Sequence, residues 1–173
     1  MKTITPLLIR TVQTLDAQSI ADIYNYYITH TYITFEQDPV SAQEITTRIE
    51  ETLAQQLPYL VIEDEQGELL GYAYASKWKG RCAYRFAVEV TIYLSPQATG
   101  KGCGFTLYQA LFDSLKRLGY HTAIAGISLP NDASVALHKK MGMEQVAHFK
   151  QVGYKFEKWI DVGYWQLVFK QAN

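Results

Sequence analysis

Hydrophobic and polar positions along the chain change period several times, and each change marks an element. Leu7 to Val12 is a short apolar run of strand type. Asp16 stands where a helix would be capped, and Ile20, Ile23, Tyr24 and Tyr27 follow on one helical face. Thr29 to Pro39 breaks that period and reads as a loop that leaves Tyr32, Ile33 and Phe35 exposed. Ser41-Ala42-Gln43-Glu44 has the form of a capping box, opening a helix that turns Ile45, Ile49 and Leu53 inward and stops before Pro58. Tyr59 to Glu63 and Leu69 to Ala75 are two strands joined by the turn Asp64-Glu65-Gln66-Gly67. A basic loop, Ser76 to Tyr84, leads into the β-branched run Phe86 to Ser95.

Thr99-Gly100-Lys101-Gly102-Cys103-Gly104 then separates that strand from a helix carrying Phe105, Tyr108, Leu111, Phe112, Leu115 and Leu118, with Gly119 as terminator. His121 to Ser128 is the next strand. Asn131 or Asp132 caps a helix through Met141, closed by Gly142. The aromatic tail, Glu144 to Lys170, reads as two antiparallel strands around Trp159-Ile160-Asp161-Val162-Gly163. The order β-α-α-β-β-β-α-β-α-β-β defines a mixed α/β class.

The glycine turn sits where a buried strand hands over to a helix. Uncovered amides of the first helical turn, together with the helix dipole, suit a phosphate or pyrophosphate, and Lys101 adds a positive charge. A flexible turn without a ligand is the other reading of the same residues. Two nucleotide motifs do not fit. The triphosphate-cradling loop needs four residues between its glycines and then Gly-Lys-Ser/Thr. The dinucleotide fingerprint needs a third glycine where Phe105 or Leu107 stands, and an acidic strand end that His121 to Ser128 lacks.

Composition changes the picture in three places. A length of 173 residues is that of a single domain, 1–173, with one sizeable core. A formal net charge of −1 advertises neither nucleic acid nor an anionic membrane as partner. The two cysteines, Cys82 and Cys103, make neither a disulfide framework nor a metal-ligand cluster, so free thiols and a cytoplasmic setting are expected, with no metal. No apolar run reaches membrane-span length, and Met1 to Pro6 is too poor in hydrophobes for a signal peptide. Thirteen tyrosines are more than usual and could line a polar pocket or pack with hydroxyls at the rim.

Within the strand Phe86 to Ser95, Phe86, Val88, Val90, Ile92 and Leu94 share one face, and Ala87, Glu89, Thr91, Tyr93 and Ser95 the other. A carboxylate in such a strand must be hydrated or paired, so Glu89 faces either a cleft or open solvent. His138 and Ser134 share a helical face and are read either as site residues or as surface groups. Lys79 and Arg81, beside Trp78, form a basic loop that can grip a carboxylate or stay solvated. Phe35 and Tyr84 are candidates for a side-chain pocket or for plain packing.

These residues, taken together, resemble the GNAT superfamily of N-acetyltransferases. Its Gln/Arg-x-x-Gly-x-Gly/Ala motif is matched at Gly102 and Gly104, with Thr99 in place of the long polar residue. Trp78-Lys79-Gly80-Arg81, Leu129-Pro130-Asn131-Asp132, Leu137-His138, Gly153-Tyr154-Lys155 and Asp161-Val162-Gly163-Tyr164-Trp165-Gln166 narrow the likeness to phosphinothricin and methionine sulfoximine acetyltransferases, over nearly the whole chain. The resemblance implies the GNAT fold, a mostly antiparallel mixed sheet flanked by helices. It implies acetyl-CoA as co-substrate, gripped at Gly100, Lys101, Gly102, Cys103, Gly104 and Phe105. Backbone groups of Ile92, Tyr93 and Leu94 and the side chains of Asn131 and Ser134 would meet its arm. It implies Glu89 as general base, His138 as a second catalytic residue where many members carry a tyrosine, and Phe35, Lys79, Arg81 and Tyr84 around a small amino-acid amine. A homodimer is implied as well. Two other readings stay open: an acetyltransferase for polyamines or protein N-termini, and a CoA-binding module with little turnover.

Overall fold

The computed structural model describes residues 7–169; the readings made for Met1 to Pro6 and for the last residue of the tail, Lys170, lie outside them. Seven strands form one sheet in the order β1-β2-β3-β4-β5-β7-β6. They are β1 (Leu8–Thr11), β2 (Tyr59–Glu63), β3 (Leu69–Lys77), β4 (Ala87–Leu94), β5 (Thr122–Leu129), β6 (Glu144–Lys155) and β7 (Lys158–Val168). Four α-helices flank it: α1 (Ala17–His30), α2 (Ala42–Ala54), α3 (Cys103–Arg117) and α4 (Asp132–Lys140). Strands β1 to β4 pair antiparallel, as do β5, β7 and β6; β4 and β5 alone run parallel. The element order and the mixed sheet are those the sequence predicts.

Strand alternation divides the sheet into two cores. On one face Ile62, Ala73, Ala75, Val88 and Val90 pack with Leu107, Leu111 and Leu115 of α3, and the apolar side of α4 closes on the same cluster. On the other face Tyr59, Val61 and Tyr72 pack under Ile20, Ile23, Ile28, Ile45 and Ile49 of α1 and α2, with Tyr74 and Tyr93 alongside. Six of the tyrosines, Tyr24, Tyr27, Tyr59, Tyr72, Tyr74 and Tyr93, make a continuous cluster of edge-on, tilted and stacked rings there, with centroid separations of 4.9 to 6.4 Å. This is where much of the tyrosine excess goes: phenols replace aliphatic side chains as core on the α1/α2 face.

Local signals act as expected at several ends. The Ser41 hydroxyl accepts from the Glu44 amide at 3.2 Å while the Glu44 carboxylate accepts from the Ser41 amide at 2.7 Å, completing the capping box. Asn131, rather than Asp132, caps α4, its Oδ1 accepting from the Ser134 amide at 3.2 Å. Asp16 precedes α1, but its carboxylate is taken by Arg10 and the Gln13 amide.

Other expectations need correction. The β6–β7 hairpin does not turn around Trp159 to Gly163, which lie inside β7; it turns at Phe156 and Glu157, both in the left-handed region at φ 50° and 59°. Ser76 and Lys77 belong to β3 rather than to the basic loop. Leu53, Leu118 and Phe86 are exposed, because each falls at the end of its element, beyond the edge of the opposing layer.

Candidate active site

Parallel pairing between β4 and β5 is confined to Ala87–Thr122, Val88–Ala123 and Glu89–Ile124. Beyond Glu89 the strands part, although β4 continues to Leu94 and β5 to Leu129. Backbone groups on those facing edges therefore have no ladder partner, which in a protein interior demands another one. A cleft of about 540 Å³ opens at this divergence, lined by Glu89, Thr91 and Tyr93 of β4, Gly126 and Ser128 of β5, and Tyr164 of β7 among others. The cleft exists because α1 and α2 cover only the β2–β4 part of that sheet face. A loop between α1 and α2, the bent strand β6, and Tyr108, Asn131, Ser134 and His138 on and beside α3 and α4 form its remaining walls.

That loop is held on three sides. The Tyr24 hydroxyl lies 2.8 Å from Thr34 Oγ1 and donates to Glu36 at 3.0 Å. Arg48 pairs with the same Glu36 carboxylate at 2.8 Å, and the buried Lys155 ammonium donates to the Thr34 carbonyl at 2.8 Å. Phe35, which lines the cleft, rests its ring on Gly153, where the β6 register slips between Phe149 and Gly153. A β-carbon at Gly153 would fall 2.6 Å from Phe35 Cε2, so this seat requires glycine.

Glu89 lies in the cleft rather than in bulk water, on the face that strand alternation assigned to it. Burial pushes its carboxyl above the ordinary carboxylate range, and the charge of nearby Lys79 partly opposes that rise. No hydrogen bond to it forms among the described residues, so its proton affinity is set by surroundings rather than by a fixed partner.

His138 is 3% exposed and lines the same cleft. Burial lowers its pKa, the contact with the Ser134 backbone opposing, so the ring is neutral near pH 7. Its Nδ1 lies 2.7 Å from the Ser134 carbonyl, which can only accept, so Nδ1 carries the hydrogen. Nε2 is then an acceptor, and the Tyr108 hydroxyl donates to it at 3.1 Å. Tyr108, with its pKa raised by burial, also lines the cleft. Sequence reasoning placed Tyr108 in an apolar helical stripe and missed this pairing. It joins residues thirty positions apart, and no local pattern signals it.

The remaining predicted residues divide into groups. Ile92, Tyr93, Asn131 and Ser134 line the cleft. Leu94 does not; its carbonyl accepts from the Tyr27 hydroxyl at 2.6 Å and its side chain packs toward Gly104. Lys79 and Tyr84 line an adjoining hollow with Trp78, and Tyr164 and Phe149 are shared between the two spaces. Arg81 is exposed and lines neither. Cys103 is buried in the core and Cys82 exposed, both as free thiols.

The glycine turn has the geometry of an anion cradle. Gly100 and Gly102 are left-handed, at φ 72° and 86°, with open space where side chains would project. Gly102 is the N-cap of α3, so the amides of Cys103, Gly104 and Phe105 have no intrahelical acceptor and no capping side chain. Gly104 serves packing instead: a β-carbon there would meet Leu137 and Leu94 at 3.2 Å, so glycine lets α3 start against the end of β4. Lys101 is exposed at the turn. A diphosphate at these amides and an arm laid along the parted β4 edge would fit what the residues present.

Among the described residues no group of three His, Cys, Asp or Glu could hold a metal, and no helix is long and apolar enough to cross a membrane.

A sheet parted after one parallel contact, with a glycine anion cradle at the end of the parting strand, is the architecture of the GNAT acetyltransferases. The chain belongs to that family: the acetyltransferase (GNAT) domain pattern matches residues 9–163. It is accordingly an N-acetyltransferase of the class that draws its acetyl group from acetyl-CoA. Among its relatives, the phosphinothricin N-acetyltransferase of Streptomyces viridochromogenes is 39% identical over 95% of this chain and 89% of its own. The L-methionine sulfoximine/L-methionine sulfone acetyltransferase of Salmonella typhimurium is 35% identical over 92% of each chain. The solved phosphinothricin acetyltransferase of Sinorhizobium meliloti, in complex with AcCoA, superposes with a TM-score of 0.91 at 37% identity, covering 94% of this chain and 88% of that one.

Proposed function

We propose that residues 1–173 form one acetyltransferase domain that acetylates the α-amine of a small amino acid or analogue, of the phosphinothricin or methionine sulfoximine and sulfone type. The observation that carries this reading is Glu89: a half-buried carboxylate, unpartnered among the described residues, on the cleft face where β4 leaves β5. When bound, acetyl-CoA supplies an acetyl group activated as a thioester. The amides of Cys103, Gly104 and Phe105, with Gly100, Gly102 and Lys101, hold its diphosphate. The β4 edge at Ile92 and Tyr93, with Asn131 and Ser134, positions its arm.

Glu89 takes the proton that the arriving ammonium must lose, directly or through water, and its raised proton affinity suits it to that task near neutral pH. The His138–Tyr108 pair holds a phenolic proton at the opposite wall of the cleft. Lys79, in the adjoining hollow and close enough for its charge to act on Glu89, draws in the substrate carboxylate with the exposed Arg81, while Phe35 on the cleft side and Tyr84 on the hollow side bound the substrate side chain. Direct attack by the amine needs no covalent enzyme intermediate, since Cys103 is buried and Cys82 lies outside the cleft. A cytoplasmic homodimer is part of the same reading, supported by the free thiols and by the exposed Phe149, Val152, Tyr154, Phe156 and Trp159 of the β6–β7 hairpin.

The test is Glu89→Gln in a thiol-release assay with methionine sulfoximine. A base of this kind contributes about a hundredfold or more to rate, so kcat should fall by at least that factor with acetyl-CoA affinity retained. The acid limb of the wild-type pH profile should disappear. Unchanged turnover across pH would remove Glu89 from the reaction, and donor binding without thiol release in the wild type would favour a binding module.

A further inference from the structure

Lys155 is 4% exposed, an unusual place for an ammonium. Its Nζ donates to the Thr34 carbonyl at 2.8 Å and lies 5.1 Å from the centre of the Phe156 ring. No carboxylate pairs with it among the described residues. Glu36, whose charge reaches it, is held instead by Arg48 and by the Tyr24 hydroxyl. A carbonyl oxygen and a ring face both favour positive charge. A cation taken out of water without an ion pair is costly all the same, so the contact it makes must matter to the fold or to the site.

What the ammonium holds is a wall of the cleft. The Thr34 carbonyl belongs to the peptide that leads into Phe35, and Ile33, Thr34 and Phe35 line the cleft together with Glu89. On β6, Gly153 and Lys155 are two positions apart and share a face. One short segment therefore meets the loop twice, through the Phe35 ring on Gly153 and through the ammonium on the carbonyl just before that ring. The loop's other polar ties are local or run to α1 and α2: the Ile33 amide donates to Thr31 Oγ1, the Glu36 amide to Thr34 Oγ1, and Glu36 is gripped by Tyr24 and Arg48. Among the described residues, the Lys155 ammonium is the one polar tie between this loop and the β6–β7 hairpin, and it spans 121 positions.

We propose that Lys155 is a positioning residue for the amine: its charge latches the α1–α2 loop to β6 and so fixes the wall at residues 33–35 against which the amine substrate binds. This rests on the function proposed above, and the two fail differently in the test. Lys155→Met keeps the length of the side chain and leaves no buried ion behind, so the variant folds; Lys155→Arg keeps the charge. A hydrogen bond from a charged donor is worth a factor of about ten or more, and a ligand that needs a partly populated wall binds weaker by that fraction. In thiol release with methionine sulfoximine, Lys155→Met should therefore raise the amine KM about tenfold, with acetyl-CoA KM unchanged. Lys155→Arg should recover most of the loss. Hydrogen exchange read by mass spectrometry follows the latch without turnover: amides of residues 31–40 should exchange faster in Lys155→Met than in wild type or Lys155→Arg, and those of α3 should not change. An unchanged amine KM overturns the assignment, whether or not the melting temperature falls, because the lysine would then be a brace for the hairpin alone. An equal rise in both KM values overturns it too, as does Lys155→Arg behaving like Lys155→Met. Should the wild type acetylate no amine offered, the proposed function fails and the exchange decides the latch: faster exchange at residues 31–40 supports it, and equal exchange overturns it.

Discussion

Gly153→Ala tests whether the cleft wall is built by the distant pairing of a loop with a strand bend. Gly153 is not in the left-handed region, so alanine costs nothing in backbone conformation there. The three atoms nearest a new methyl all belong to the Phe35 ring, Cζ and Cε1 closer than Cε2 at 2.6 Å. The ring is 39% exposed and can swing outward, so overpacking is relieved near the low end of its usual range, at about 1 kcal/mol. For a chain of this size that is a melting-temperature loss of about 2–4 °C. The larger effect falls on the substrate, because the displaced ring no longer flanks its side chain. Losing about 1–1.4 kcal/mol of apolar contact raises the amine KM about five- to tenfold.

The assay is thiol release with the amine varied at saturating acetyl-CoA, run on wild type, Gly153→Ala, Phe35→Ala and the double variant. If the ring carries the effect, Gly153→Ala adds almost nothing in the Phe35→Ala background, and the cycle shows coupling equal to the whole single-variant loss. Independent, additive losses would refute the seat. An unchanged KM in Gly153→Ala, with Phe35→Ala impaired, would show that the ring forms the wall without needing the glycine beneath it.

Two further outcomes follow from the geometry. Gly102→Ala forces a β-carbon into the left-handed N-cap of α3, at a cost of about 1–2 kcal/mol; calorimetry should show weakened CoA binding together with a lowered melting temperature, whereas tight binding at normal stability would exclude the cradle. The His138 ring is kept neutral in the fold, its pKa below the ordinary value because of burial. The unfolded chain takes up the proton at about pH 6.5, so the stability linked to this group is present above that pH and is lost as the solution is acidified below it. Wild type should lose more melting temperature between pH 7 and pH 5 than His138→Gln does, and equal losses would show that the ring is not titrating against burial.

Most of the architecture was legible because period is a local property. Alternation through Val88, Glu89, Val90 and Thr91 placed Glu89 on the correct face, and glycine spacing located the start of α3. What escaped depended on distance along the chain. Tyr108 and His138 meet across thirty positions, and Phe35 meets Gly153 across far more, so neither partner carries a mark of the other. The hairpin turn was misplaced for a different reason. Phe156 and Glu157 adopt left-handed conformations without being glycine or asparagine, so the usual turn signal is missing, and Gly163 drew the turn to itself although its space is filled by the Trp165 ring.

The three-residue parallel contact has a mechanical meaning as well. On either side of it lies a separately zipped antiparallel unit, β1 to β4 and β5 with β7 and β6, and Glu89 sits at the last stitch between them. Behind that stitch Leu107, Leu111 and Leu115 of α3 belong to one core cluster with Val88 and Val90 of the first unit and Ala123, Ala125, Ile127 and Trp165 of the second. The two units are thus joined in front by three residue pairs ending at Glu89 and behind by a shared core of side chains that never face the ligand.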